Sequence, residues 1–180
     1  YTGSLGVAAL AGGAQRVVQM DLNRKFLNLA KDSCTLNGLP IHKEDYLSGD
    51  FYPLTSRLRR EVRLFDCVIL DPPYFSSTAA GQVNLVYDAA RLINKVRPLI
   101  ADGGWLVAIN NALFVSGADY LSNLQALCAD GYMQIERLIE VPADCAGTPE
   151  TRRIAPPAAP TPFNHSTKIA LLRVRRKPNA

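Results

Sequence analysis

The sequence lacks the features that mark fibrous, membrane-spanning or low-complexity chains. Its 180 residues include only 12 Gly and 12 Pro, and charged residues make up 20% against 48% apolar ones. No apolar run approaches the roughly 18–20 residues that span a bilayer, and no basic segment followed by a hydrophobic block suggests a secretory signal. We therefore expect one globular domain over residues 1–180, located in the cytoplasm and without a membrane partner.

Cysteine is scarce and charge is nearly balanced. None of the four cysteines forms a C-x-x-C pair, and three of them lie within apolar stretches. Neither a disulfide framework nor a metal site is expected from that spacing. The chain has 20 Lys and Arg against 16 Asp and Glu, which gives a net charge of +4 and a pI near 9.0. That balance permits a polyanionic partner without requiring one.

Strand-like and helix-like patterns alternate along the chain. Helices are predicted over 7–11, 24–36, 83–100 and 120–128, and strands over 17–20, 40–44, 64–70, 105–109, 133–141 and 168–175. The apolar run over 64–70 suits a strand buried on both faces. The alternation predicts an α/β fold with a doubly wound, mostly parallel sheet. A long Pro-rich loop is expected over 142–167.

Polar or glycine-rich residues lie where these strands begin and end, and ligands bind beyond the carboxyl ends of parallel strands. Gly3 and Gly6 permit close approach of the backbone to a ligand. Asp21 lies about 18 residues after Gly3, near the spacing at which an acidic residue accepts ribose hydroxyls. Asp45 follows the next predicted strand and could accept from an adenine amino group. Simpler interpretations are an ordinary turn, a helix cap for Asp21 and a solvated carboxylate for Asp45.

The segment Asp71-Pro72-Pro73-Tyr74 is the most informative of these strand ends. Its two prolines fix the backbone and lack N–H donors. The segment therefore presents hydrogen-bond acceptors: the Asp71 carboxylate and the backbone carbonyls of Asp71 and Pro72. A planar base with amino hydrogens would satisfy them while Tyr74 supplies a stacking face. A rigid turn with an exposed tyrosine is the alternative interpretation.

Taken together, these segments resemble the class I S-adenosylmethionine-dependent methyltransferases, and among them the bacterial large-subunit ribosomal RNA methyltransferases. The resemblance rests on residues 1–4, 17–21, 30–38, 65–75 and 164–168. It implies S-adenosylmethionine as cofactor, RNA as substrate and a Rossmann-like sheet with an antiparallel last strand. It also implies that the first strand lies upstream of Tyr1, so an N-terminal truncation is expected.

The same resemblance assigns roles to individual residues. Cofactor contacts are expected from Tyr1, Thr2, Gly3, Asp21, Leu22, Asp45, Tyr46 and Asp71. The expected catalytic residues are Asp71, Pro72 and Tyr74. Substrate contacts are expected from Pro73, Tyr74, Asn110 and Asn111.

The sequence leaves the target atom open between two chemistries. Methylation of cytosine at carbon 5 needs a cysteine nucleophile, but Asn110-Asn111 stands where that cysteine is expected, which leaves Cys145 as the other plausible thiol. Methylation of a ring or amino nitrogen needs only positioning of the acceptor, so a nitrogen is favoured. Guanine is the preferred base because Asn110-Asn111 and residues 71–76 resemble the relatives that methylate a guanine ring nitrogen. Either target must be single-stranded or flipped out of a helix.

Two other classes of protein remain as alternatives. An inactive nucleotide-binding or RNA-binding module could share the same fold, because fold alone does not fix function. A nicotinamide-dependent dehydrogenase is disfavoured because the sequence lacks the full G-x-G-x-x-G fingerprint.

Overall fold

A computed structural model of the chain describes residues 2–146 and 155–177. It divides into two compact units, Tyr1–Arg57 and Leu58–Ala180. Across the described residues, the model contains no helix with the length and apolar character needed to cross a membrane.

The first unit is built on two short parallel strands. Its elements are α1 (Ser4–Ala11), β1 (Gln19–Asp21), α2 (Arg24–Leu36), β2 (Tyr46–Ser48) and the first part of α3 (Phe51–Arg60). Gln19 pairs with Tyr46 and Asp21 with Ser48, so both strands end at the same edge. Helix α2 begins after Asn23, whose side chain accepts a hydrogen bond of 3.0 Å from the backbone N–H of Lys25.

The second unit is built on a four-stranded sheet with the order β3-β6-β8-β7. Its elements in chain order are β3 (Phe65–Leu70), β4 (Phe75–Thr78), β5 (Gly81–Asn84), α4 (Ala89–Val96), β6 (Ile100–Asn110), α5 (Gly117–Cys128), β7 (Met133–Ile139), α6 (Ala143–Ala146) and β8 (Lys168–Val174). Strands β3 and β6 are parallel, and β8 is antiparallel to both of its neighbours. The expected α/β architecture with an antiparallel last strand is confirmed.

One face of this sheet forms the core. Leu106, Ala108 and Leu172 point to that face and are at most 1% exposed, and helices α4 and α5 pack over it. On the opposite face Cys67 and Ile69 remain exposed. The expectation that residues 64–70 are buried on both faces is therefore wrong, because only one face of β3 packs into the core.

Residues 75–84 form a hairpin that the sequence analysis did not predict. Phe75 pairs with Asn84 and Thr78 with Gly81. The helix predicted over 83–100 begins only at Ala89, because the residues before it belong to this hairpin. The helix ends at Val96 instead of residue 100, because a single 3-10 turn over Arg97–Leu99 contains the proline and leads into β6.

The Pro-rich segment over 142–167 is not one extended loop. It opens with the short helix α6, and residues 159–163 pack against α5. Gly117 donates its backbone N–H to the carbonyl of Ala159 over 2.9 Å, and the rings of Tyr120 and Phe163 lie 5.7 Å apart. Residues 147–154 lie outside the described part of the chain.

Candidate functional site

Two carboxylates follow the two parallel strands of the first unit. Asp21 ends β1, where its Oδ1 accepts the N–H of Asn23 over 2.7 Å and its carbonyl accepts the N–H of Gly49 over 3.0 Å. Asp50 comes just after β2, and its Oδ1 accepts the N–H of Tyr52 over 2.9 Å. Because the strands are parallel, both acidic residues lie at the carboxyl edge of this small sheet.

Asp45, the residue expected near the adenine, does not lie at that edge. It closes a 3-10 turn, Lys43–Asp45, that precedes β2 instead of ending a strand. Its carboxylate is 1% exposed and forms a bidentate ion pair with Arg16, with Nη2 to Oδ1 at 2.9 Å. The pairing already uses both carboxylate oxygens, which makes Asp45 a structural residue.

Tyr46, which is also expected to contact the cofactor, packs against α2. It opens β2, and its hydroxyl lies 3.4 Å from the Sγ of Cys34 on α2. Burial is the main cause that raises the pKa of Tyr46 to about 12. The tyrosine therefore packs between α2 and the start of the strand, away from the carboxyl edge.

Gly3 and Gly6 have a packing role in the turn that leads into α1. Gly3 adopts a φ of 79°, and a Cβ there would collide with Ala30 of α2. A Cβ on Gly6 would lie 2.6 Å from atoms of the Gln19 side chain. Both positions therefore require glycine because other residues of the protein pack closely against them. Helix α1 still begins at this turn, so its first backbone N–H groups lack partners within the helix.

The other residues expected near this turn differ in accessibility. Thr2 precedes Gly3 and is half-buried, and Leu22 is 57% exposed directly after Asp21. Tyr1 lies outside the described residues. The Nε2 of Gln19 is buried beside the turn and has no hydrogen-bond partner among the described residues.

In the second unit, the Asp71–Tyr74 segment continues directly from β3. Asp71 is exposed, yet partial desolvation by the protein around it raises the pKa of its carboxyl above the usual range. Pro72 packs with Leu85 and Ala108 around a small apolar cavity, which anchors the segment on the core. Tyr74 accepts the backbone N–H of Leu85 over 3.1 Å while its side chain stays 44% exposed.

Two asparagines at the end of β6, Asn110 and Asn111, lie near the Asp71–Tyr74 segment and differ in their burial and contacts. Asn110 is 1% exposed, and its Nδ2 donates to the carbonyl of Leu85 over 3.4 Å. Its Oδ1 accepts the N–H of Ala112 over 2.9 Å. Both ends of the Asn110 amide therefore form hydrogen bonds within the protein. Asn111 is half-buried, and its Oδ1 lacks a partner among the described residues.

Lys168 is a site-organising residue that the sequence analysis did not single out. It pairs with Asn110 in the β6–β8 ladder and is 1% exposed. Its Nζ donates to the carbonyls of Ala112 over 2.9 Å and Ser166 over 2.6 Å, which joins the loops beside both strands. Burial lowers the pKa of Lys168. The strand period is the signal that could have identified it, because Lys168 shares the inward face of β8 with Ala170 and Leu172.

The two asparagines give a matched pair of substitutions. We expect Asn110→Ala to lower the free energy of unfolding by about 1–3 kcal/mol, because it leaves a buried carbonyl and a buried N–H unpaired. Asn111→Ala is expected to change stability by less than about 0.5 kcal/mol. Urea denaturation followed by circular dichroism measures both. Equal losses of stability in the two variants would contradict the assignment of separate roles.

Known proteins with similar sequences identify the family of this chain. A family profile described as S-adenosylmethionine-dependent methyltransferase matches residues 1–153. "Ribosomal RNA large subunit methyltransferase I" of Aeromonas salmonicida (strain A449) is 31% identical over 137 residues, which cover 76% of this chain and 34% of the relative. The protein of the same name from Vibrio vulnificus (strain CMCP6) is 32% identical over 143 residues, covering 78% and 35%. The chain thus spans about a third of the length of these relatives.

Solved structures share the fold. The structure of SMU.776 complexed with SAH superposes with a TM-score of 0.78 at 20% identity and covers 97% of this chain and 43% of that one. The SAM-dependent methyltransferase from Agrobacterium tumefaciens superposes with a TM-score of 0.66 at 20% identity, covering 98% and 54%. Because the family profile matches most of the sequence, the chain belongs to the S-adenosylmethionine-dependent methyltransferase family.

Proposed function

We propose that the protein transfers a methyl group from S-adenosylmethionine to a nitrogen of a base in large-subunit ribosomal RNA, with guanine favoured. The observation that carries the proposal is the Asp71–Tyr74 segment, in which two prolines separate a carboxylate from an exposed aromatic ring. The printed names of the Aeromonas and Vibrio relatives support RNA as the substrate class. The cytoplasm, where ribosomes are assembled, is the proposed location.

The residues of the first unit fit the polar groups of the cofactor. Asp21 would accept the ribose hydroxyls, and Asp50 would take the role toward the adenine that the sequence analysis gave to Asp45. The open N–H groups at the start of α1, after Thr2 and Gly3, would hold the carboxylate of the methionine part. When bound, S-adenosylmethionine supplies an electrophilic methyl group on a sulfonium.

The residues of the second unit fit a base with amino hydrogens. The Asp71 carboxylate and the Pro72 carbonyl would accept those hydrogens, which raises electron density on the acceptor nitrogen. Tyr74 would stack on the ring and, with Pro73, fix its plane. The unpartnered Oδ1 of Asn111 would accept a further hydrogen from the base. Orientation of the nitrogen is the main contribution of these residues, since a lone pair needs no covalent activation.

One observation favours a second candidate, methylation of cytosine at carbon 5. Strand β7 ends with Ile139, which pairs with Ile169 at the same edge of the sheet where β6 ends. Helix α6 follows within a few residues, and its Cys145 is exposed. A Cys145→Ser variant separates the candidates, because it abolishes transfer to carbon 5 and leaves transfer to a nitrogen unchanged.

Calorimetric titration with S-adenosylmethionine tests the cofactor site. We expect Asp21→Ala to raise the Kd by roughly 30-fold, because charge-assisted hydrogen bonds to two hydroxyls are lost. Asp45→Asn is the matched control and is expected to bind with the Kd of the unaltered protein, because Asp45 lies at the other edge of the strands. Absence of binding by the unaltered protein, or an unchanged Kd for Asp21→Ala, would contradict the proposal.

Transfer of a radiolabelled methyl group tests the substrate. The probe is large-subunit RNA from a strain that lacks the gene, and the modified nucleoside is identified by mass spectrometry after digestion. A methylated base nitrogen is the expected product. Methylated cytosine carbon, or binding of the cofactor without any transfer, would overturn the proposed target.

A further inference from the structure

The exposed aromatic side chains of the protein are concentrated in one place. Among residues 2–146 and 155–177, four aromatic side chains are exposed, and all of them follow strands of the second unit: Tyr74, Phe75, Tyr87 and Phe114. Tyr87 is 83% exposed and Phe114 is 68% exposed, which makes them the most accessible of the four. Such a cluster of exposed apolar groups is typical of a binding surface.

Hydrogen bonds hold the three loops that carry these rings together. Leu85 donates its N–H to the carbonyl of Tyr74 over 3.1 Å, and the side chain of Asn110 donates to the carbonyl of Leu85 over 3.4 Å. Tyr87 lies just after Leu85, and Phe114 lies just after the loop fixed by Ala112, whose carbonyl accepts from Lys168. Tyr87 and Phe114 therefore lie in loops whose backbone is hydrogen-bonded close to them.

The two loops that carry Tyr87 and Phe114 have no charged side chains of their own. Residues 84–87 and 110–115 contain only uncharged side chains. Asp88, which follows Tyr87 along the chain, accepts the N–H of Asn84 over 3.1 Å and pairs with Arg91 at 3.1 Å. Planar nucleobases suit an uncharged aromatic surface, whereas phosphates need cations.

We propose that Tyr87 and Phe114 stack on the nucleotides next to the target, so that the protein binds a single-stranded stretch of RNA instead of one isolated base. This inference rests on the proposed RNA methylation and extends it from the target base to its neighbours. Stacking on an aromatic face tolerates every base. The two rings thereby select for unpaired RNA. Sequence specificity then comes from the contacts with the target base.

Fluorescence anisotropy with a short labelled oligoadenylate tests the stacking directly. Tyr87→Ala and Phe114→Ala are each expected to weaken binding by about 10-fold. Tyr87→Phe keeps the ring and is expected to bind as the unaltered protein does. Val62→Ala, which removes an exposed apolar side chain away from these loops, is the matched control. An oligomer of the same length with abasic sites is expected to bind as weakly to the unaltered protein as the adenylate binds to the alanine variants.

Kinetics on large-subunit RNA separate this inference from the proposed function. Both alanine variants are expected to raise KM for RNA by about 10-fold while kcat and the Kd for S-adenosylmethionine stay unchanged. Unchanged KM in both variants, with transfer intact in the unaltered protein, would overturn the stacking alone and indicate that another partner uses the surface. Absence of transfer in the unaltered protein would overturn the proposed function instead.

Discussion

Asp71→Asn is expected to lower the rate of methyl transfer at saturating substrates by about 100- to 1000-fold. The amide matches the shape of the carboxylate but lacks its charge, and half of its polar surface donates instead of accepting. A base amine would meet a donor where it needs an acceptor. Single-turnover transfer from labelled S-adenosylmethionine measures the chemical step without product release.

Asp66→Asn provides the control for this substitution. Asp66 lies on the same strand as the residues leading to Asp71, and it is exposed. Removing the charge of Asp66 is expected to leave the transfer rate within about twofold of that of the unaltered protein, since most surface substitutions have small effects. A comparable loss of activity in both variants would show that charge near β3, rather than the position of Asp71, determines the rate.

The pH dependence of transfer follows from the same carboxyl. Desolvation raises the pKa of Asp71, and the ionised form is the one that accepts hydrogen bonds from an amine. As pH falls through that raised pKa, Asp71 becomes protonated and transfer slows. The acid limb of the rate profile is thus expected at a higher pH than an ordinary aspartate gives, and it should vanish in Asp71→Asn. An acid limb that persists unchanged in this variant would assign the titration to another group.

The strand ends of the second unit could be predicted from sequence because their strands are long. Strand β6 extends over Ile100–Asn110, and its buried positions alternate, so its polar end is well marked. Strand β2 has only three residues, too few for a period to be recognised. The prediction therefore placed a strand over 40–44 and took Asp45 as its end. The pairing of Asp45 with Arg16, 29 residues away, is a tertiary contact that no local pattern reports.

The two asparagines differ because Asn110 is the last residue of strand β6 and Asn111 lies just beyond it. Asn110 continues the inward series of Leu106 and Ala108, and this alternation marks it as a core residue. Asn111 lies beyond the strand, where the alternation ends. The family resemblance assigned both asparagines to the substrate, whereas their positions in the pleat distinguish a buried amide from a candidate contact.

Lys168→Met is expected to lower the free energy of unfolding by about 2–4 kcal/mol. Methionine fills a similar volume but donates no hydrogen bond, which leaves the buried carbonyl of Ala112 and that of Ser166 without their partner. The relief of burying an ammonium group offsets part of that loss. Urea denaturation measures the change, and Lys177→Met supplies the control on an exposed lysine 3.6 Å from Asp130, where a change below about 1 kcal/mol is expected.

The same substitution is expected to weaken RNA binding, because the carbonyl of Ala112 fixes the loop that carries Asn111 and Phe114. At a temperature where Lys168→Met remains folded, the KM for RNA should rise while the Kd for S-adenosylmethionine stays unchanged. Lys168→Arg, which keeps the donor and the charge but adds volume, should recover part of the RNA affinity. A Lys168→Met protein with unaltered stability would show that the buried ammonium holds neither loop.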